Sequence, residues 1–116
     1  MVPQVKDTES LMDIAVREKL WAKLVMQLQK DFSSANIHIE LELEMMPEKL
    51  VGILHEAIFL LMRDRFNDYL NLLYIIDVPE TEVRAIQVAD TVEISAEVSF
   101  LILKREWQKV WFKNRR

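Results

Sequence analysis

The strongest candidate for metal chemistry in this sequence is the pair His55 and Glu56. They begin the helical zinc pattern in which two histidines, four residues apart, bind one metal ion while the glutamate acts as a base. Phe59 occupies the second ligand position, so the pattern is incomplete. We therefore predict no metal at His55 and interpret it as a packed or surface histidine.

A second acidic run follows His38, with glutamates at the alternate positions Glu40, Glu42 and Glu44. Carboxylates on one face of a strand could bind a hard cation weakly. A calcium loop of the EF-hand type, however, needs spaced oxygen ligands around a glycine, and this run has no glycine. We interpret the run as the solvated face of an extended segment.

Asp64 and Asp68 would share a helical face and could serve as an acid and base pair. Arg63 and Arg65 stand beside them, and ion pairing with these arginines is the simpler interpretation. We predict no catalytic residues.

The composition excludes several other chemistries. The 116 residues contain no Cys and a single glycine, Gly52, which leaves no disulfide, no thiol nucleophile and no glycine-rich phosphate loop. We therefore predict a protein that is not an enzyme and holds no cofactor. The longest apolar run, 57–62, falls far short of the roughly 20 residues of a membrane span. The sequence thus predicts a cytoplasmic protein with no transmembrane segment.

The C-terminal tail carries a charge opposite to that of the rest of the chain. Six Lys and Arg residues against Glu106 give the last 13 residues a charge of +5, so the preceding 103 carry −9. The candidate interaction surface consists of Lys109, Trp111, Phe112, Lys113, Arg115 and Arg116. We first interpret the tail as a helix end whose cations face its own dipole while the tryptophans pack on the core. The alternative is a site for nucleic acid or another anionic surface.

The same tail resembles the homeodomain recognition helix, whose hallmark is Trp-Phe-x-Asn-Arg-Arg. The matching residues are Trp111, Phe112, Asn114, Arg115 and Arg116. The resemblance would imply that Asn114 reads adenine in the major groove while the arginines reach phosphates. The core Leu and Phe positions of that family's first helix fall on Pro79 and Val83, so we interpret the match as coincidental.

Residues 69–80 and 103–110 resemble a family of small bacterial helical proteins, a domain of unknown function. The resemblance implies a helical C-terminal segment and no particular activity.

The spacing of apolar residues predicts the elements that carry these side chains. Apolar steps of three and four residues predict one long helix from Glu9 to Phe32, with N-cap candidates at Asp7, Thr8 and Ser10. Strict alternation from Ile37 to Leu43 predicts a strand, which would need a partner elsewhere in the chain.

Helical spacing resumes after Pro47 and predicts a second long helix. The polar cluster 64–68 is expected to bend or break it before the apolar face continues at 69–76. Residues 77–80 then end this element, and 81–89 would form a short helix.

Residues 92–103 fit both the strand and the helix period. We favour a helix over about 95–113, because good helix formers dominate it and no turn residue interrupts it. The strand interpretation would supply the missing partner for residues 37–43.

The sequence therefore predicts a mainly α protein, a small helical bundle with one extended segment near Ile37–Leu43. The alternative is an α+β fold with a small sheet. We expect an extended or disordered N-terminus over 1–8, one helical domain over 9–113 and a basic end over 114–116.

The predicted function is non-catalytic protein–protein interaction, as an interaction or accessory module. Six Met and three Trp residues would suit an adaptable apolar interface. The expected partner is another protein or a second copy of the chain, and nucleic acid is the less favoured possibility.

Overall fold

Six α-helices account for most of the chain in the computed structural model, which describes residues 1–114. The helices are α1 (Thr8–Arg17), α2 (Trp21–Ser34), α3 (Pro47–Asp64), α4 (Phe66–Ile76), α5 (Glu80–Arg84) and α6 (Thr91–Lys113). No β-strand occurs within these 114 residues. The predicted mainly α bundle is confirmed, and the α+β alternative is wrong.

The prediction of a single helix from Glu9 to Phe32 is wrong, because the chain breaks between α1 and α2. Lys19 adopts the left-handed conformation, with φ of 59°. Its N–H donates to the carbonyl of Val16, and the N–H of Leu20 donates to that of Ala15. This is a Schellman motif, which ends a helix and is most often built with glycine. In the sequence the break coincides with the charged run 17–19, which leaves a step of six positions between Ala15 and Trp21 of the predicted apolar face.

The start of α1 follows the predicted capping chemistry. Asp7 is the N-cap, and its carboxylate accepts a hydrogen bond of 2.8 Å from the N–H of Ser10. The Ser10 side chain in turn accepts one from the N–H of Asp7, which completes a capping box. Val2 and Val5, upstream of this cap, are partly buried against the core.

The predicted alternation over 37–43 holds as far as residue 41 without joining a sheet, but Leu43 is exposed because residues 42–45 form a turn. Ile37 and Ile39 are buried, whereas His38 and Glu40 are exposed. Two side chains of α2 hold segment 37–44 and the residue that follows it. The amide of Gln29 donates to the carbonyl of Ile39 at 3.0 Å, and the indole of Trp21 donates to the carbonyl of Met45 at 3.1 Å. Side chains of α2 therefore take the place of a neighbouring strand.

The predicted interruption of the second long helix is confirmed at Arg65, whose φ of −140° and ψ of 60° separate α3 from α4. Asp77, in the left-handed conformation, ends α4. The short helix predicted over 81–89 is present as α5, but it starts at Glu80 and ends at Arg84, so the predicted continuation over 85–89 is wrong.

The C-terminal segment 92–103 is helical, as we favoured, but α6 begins four residues before the predicted start at 95. Asp90 caps it, because its carboxylate accepts hydrogen bonds from the N–H groups of Val92 and Glu93 at 2.7 and 3.3 Å. The helix contacts each of the other five. Ile102, Leu103 and Trp107 are fully buried. Burial on more than one side explains why its apolar residues fit no single helical stripe.

Candidate functional site

The predicted interaction surface at the end of α6 divides between the interior and the exterior of the protein. Trp111 is buried and the Lys109 side chain is 17% exposed, so both belong largely to the interior. Phe112, at 60% exposure, and Lys113 face outward. Arg115 and Arg116 lie outside the described residues. The prediction that this surface binds a partner stays a prediction.

The cations of the tail take part in a ladder of polar contacts between α2 and α6, which run antiparallel. The ladder joins Lys23 Nζ to Asn114 Oδ1 at 2.6 Å, Lys113 Nζ to Gln27 Oε1 at 2.9 Å and Lys109 Nζ to Asp31 Oδ2 at 2.8 Å. Its α2 members are spaced four residues apart and therefore share one helical face. The ladder fixes the end of α6 against α2.

At its inner end the ladder contains a pair of buried acids. The Asp31 side chain is 8% exposed and that of Glu106 is fully buried. Lys109 Nζ lies 2.8 Å from Asp31 and 3.2 Å from Glu106 Oε1. Neither oxygen of Glu106 receives a hydrogen bond. A fully buried carboxyl that receives no hydrogen bond favours its protonated form.

The protonation of the two acids is set by their surroundings. Burial raises the pKa of Glu106 to about 9, assisted by its hydrogen bond to Asp31 and by the charge of Asp31. Burial also opposes ionisation of Asp31, but hydrogen bonds from Glu106, Lys109 and Gln27 outweigh it and lower the Asp31 pKa. The cluster thus holds one negative and one positive charge at neutral pH.

This cluster is a structural centre, because solvent does not reach Glu106 and a substrate would not reach it either. Sequence analysis missed it, since Asp31 and Glu106 are 75 positions apart. The sequence did contain a signal for its burial. Glu106 is four residues from both Ile102 and Val110, so it shares a helical face with two buried apolar residues.

The other residues considered for metal binding or catalysis, His55, Asp64 and Asp68, make ordinary structural contacts. His55 Nε2 lies 2.8 Å from Ser95 Oγ and 3.1 Å from the carbonyl of Val92, so it joins α3 to the start of α6. Asp64 pairs with Arg63 at 2.8 Å and Asp68 pairs with Arg65 at 2.7 Å. The predicted ion pairs are confirmed. Across residues 1–114, no three His, Cys, Asp or Glu side chains are grouped so that they could hold a metal ion.

The largest apolar side chains that face solvent together lie on α4. Phe66, Leu70 and Tyr74 are 53%, 48% and 83% exposed, and their spacing of four residues places them in one stripe, which we call the α4 stripe. The sequence had assigned Leu70 and Tyr74 to the same apolar face as Tyr69 and Leu73, but only the latter two are buried.

A groove runs beside the α4 stripe, between α4 and α5. It has a volume of about 630 Å³ and its wall on the α5 side includes Pro79 and Val83. Helix α4 contains no Lys or Arg, and Asn67 and Asn71 are its exposed neutral polar residues. The stripe and the groove together form a mainly apolar surface on the outside of the protein, with the charged residues Asp77, Glu80 and Arg84 at the far side of the groove.

None of the helices in the described part of the chain is both long and apolar enough to cross a membrane. No protein-family model, curated protein or solved structure matches the chain. The two local resemblances seen in the sequence therefore stay predictions.

Proposed function

We propose that the protein is a non-catalytic protein–protein interaction module whose contact surface is α4. The observation that carries this proposal is the α4 stripe, in which Phe66, Leu70 and Tyr74 expose about half or more of their surfaces side by side. Single exposed apolar residues are common, but a contiguous apolar patch beside a groove is typical of a contact surface.

The partner that fits this surface best is a second copy of the chain. Two α4 helices packed antiparallel about Leu70 would place each Phe66 against the Tyr74 of the other copy, so the surface is complementary to itself. The charged groups at the two ends of the surface are neutralised within each copy, because Arg65 pairs with Asp68 and Asp77 pairs with Arg105. Although the protein is acidic, two copies meet here without opposing like charges.

A contact made by one 11-residue helix from each copy is small. We therefore expect a reversible dimer with a dissociation constant on the order of 10–100 µM. Sedimentation velocity over a concentration series would measure it.

The absence of cysteine allows a direct test of the geometry. Leu70→Cys introduces a single thiol at the predicted two-fold axis, where two copies of it would meet. We expect mild oxidation to link most of this variant into a disulfide-bonded dimer at concentrations above the dissociation constant.

Met26→Cys is the matched control, because Met26 is similarly exposed at 55% but lies on α2. It should cross-link only at the slow rate of random collision. Equal cross-linking of the two variants, or a wild type that stays monomeric at 1 mM by sedimentation, would overturn self-association through α4.

The alternative function is binding of nucleic acid or another anionic surface by the end of α6. Exposed Phe112 beside Lys113 favours it, and protonation of Glu106 removes one negative charge from this part of the helix. Binding of this kind falls steeply with salt. The test is fluorescence anisotropy with a labelled 20-nucleotide single strand: Lys113→Glu should abolish binding, whereas Lys6→Glu, at the opposite end of the chain, should leave it intact.

A further inference from the structure

We propose that segment 38–42 and the neighbouring face of α3 form a docking site for an extended peptide with alternating basic and apolar residues, which binds by adding a strand to the segment. This site is independent of α4 and would serve a different partner.

The backbone of the segment is the first observation. From His38 to Glu44, none of the N–H groups donates a hydrogen bond within residues 1–114. Among the carbonyls of the same stretch, that of Ile39 accepts one from Gln29, and that of Glu42 accepts one from the N–H of Met45 in a turn that ends the extended part of the segment. The sequence of the segment is a strand sequence, and an extended chain with free donors and acceptors is the template that a peptide uses when it adds a strand.

The orientation of these groups is the second observation. Successive residues of an extended chain direct their backbone groups to opposite edges. The carbonyl of Ile39 faces α2, because Gln29 donates to it. The N–H and carbonyl groups of His38 and Glu40 consequently lie on the other edge, away from α2.

That other edge borders a groove. It has a volume of about 490 Å³, with residues 37–40 on one wall and α3 on the other. The α3 wall supplies Ile53, Ala57 and Leu60, a row of apolar side chains at helical spacing. A strand paired with His38 and Glu40 would lay every second side chain against this row.

Charge determines which peptide fits. Glu40 and Glu56 line the groove as its acidic residues, whereas the other two charged lining residues, Asp64 and Arg65, are already paired with Arg63 and Asp68. Glu42, exposed at the end of the extended stretch, adds a further acidic residue to the segment. A second copy of the segment would oppose glutamate to glutamate, which is unfavourable. A peptide with Lys or Arg at alternate positions matches both the charge and the spacing.

The test uses a labelled, acetylated octapeptide of alternating Lys and Val, with the Glu and Val octapeptide as its control. We expect the Lys peptide to bind by fluorescence anisotropy at 50 mM salt and the Glu peptide not to bind. Hydrogen exchange should show protection of the amides of His38 and Glu40 in the complex.

Two variants at one position separate strand pairing from charge. Glu40→Pro removes an N–H that bonds to nothing within the described chain, so the fold should tolerate it, and we expect binding to weaken by about tenfold or more. Glu40→Gln keeps the N–H and should weaken binding only about twofold to threefold. Circular dichroism verifies that both variants remain folded.

Four results would overturn the proposal. They are no binding of the Lys peptide at 1 mM, equal binding of both peptides, equal affinity of the Pro and Gln variants, and amide protection that appears without peptide as the protein concentration rises. The last result would identify a second copy of the chain as the occupant.

Discussion

At the scale of single residues, the most consequential side chain is one that sequence analysis overlooked. Glu106 retains its proton at neutral pH because ionising it would leave two negative charges and one positive charge in the interior. With the proton in place, Asp31 and Lys109 balance each other. The proton is therefore part of the packing between α2 and α6.

Replacing Glu106 by Gln should change the pH dependence of stability. The folded pKa of about 9 lies above the ordinary value of 4.5, so this group favours folding most below pH 4.5 and progressively less as pH rises to 9. Glutamine can donate the same hydrogen bond without titrating. We expect Glu106→Gln to be more stable than wild type by on the order of 5 kcal/mol at pH 8, with little difference at pH 4.5.

Urea unfolding at pH 4.5, 6 and 8 would measure this difference. Glu97→Gln is the matched control, since Glu97 is an exposed residue of the same helix, and its effect should be small at every pH. A Glu106→Gln variant that loses stability at pH 8 would show that the carboxylate is ionised in the folded protein.

Gly52 supports a second prediction at the residue scale. It lies inside α3, and a Cβ added there would meet no atom within 4 Å. Gly52→Ala should raise the free energy of unfolding by about 1 kcal/mol, because alanine restricts the unfolded chain and favours a helix. The reverse change on an exposed position of α2, Ala22→Gly, should lower it by a similar amount, and chemical denaturation measures both.

At the scale of elements, three helices end without glycine. Lys19, Asn36 and Asp77 take the left-handed conformation at the ends of α1, α2 and α4, with φ of 59°, 59° and 69°. Asparagine and aspartate tolerate this region better than most residues, whereas lysine has no such advantage. The end of α1 is consequently the strained one.

Lys19→Gly should therefore stabilise the protein by about 1 kcal/mol, measured as the shift in the urea midpoint. Lys30→Gly provides the contrast, because Lys30 is equally exposed but lies within α2, and there glycine should destabilise by about the same amount. If both changes destabilise, α1 and α2 form one continuous helix in solution.

The contrast between Lys19 and Arg65 explains how far the elements follow from the sequence. The polar residues around Arg65 interrupt the apolar pattern and revealed the break between α3 and α4. Around Lys19 the charged run 17–19 also interrupts the pattern and separates Ala15 from Trp21 by six positions, but the polar face of one helix can contain such a run, and no Gly or Pro marks the break between α1 and α2. Local spacing likewise identified segment 37–43 as extended but assigned it a strand partner, because it could not reveal that Gln29 and Trp21 would satisfy the carbonyls of Ile39 and Met45.

At the scale of the whole molecule, α6 is the centre of the fold. Every other helix packs on it, and the radius of gyration of 13.4 Å agrees with the value of about 13 Å for a compact domain of this length. The site at the α4 stripe depends on the same arrangement, which is long-range and so was not available from local spacing. Only the apolar character of α4 could be predicted.

This centrality predicts that the molecule unfolds as one unit. Ile102→Ala, at a fully buried position of α6, should cost about 2–5 kcal/mol and shift the urea transitions followed by circular dichroism and by tryptophan fluorescence equally. Val92→Ala, half-exposed on the same helix, should cost less than about 0.5 kcal/mol. Separation of the two transitions in the Ile102 variant would contradict a single cooperative core.

The position of α6 in chain order also has a consequence for biosynthesis. A ribosome delivers α1 to α5 before it delivers α6, so the faces that these five helices turn towards α6 have nothing to pack against while translation proceeds. Their helices can form early, but the core closes only after residue 113 has left the exit tunnel. Nascent chains stalled before that point should be digested readily by protease, whereas chains with a downstream linker long enough to release α6 should resist it.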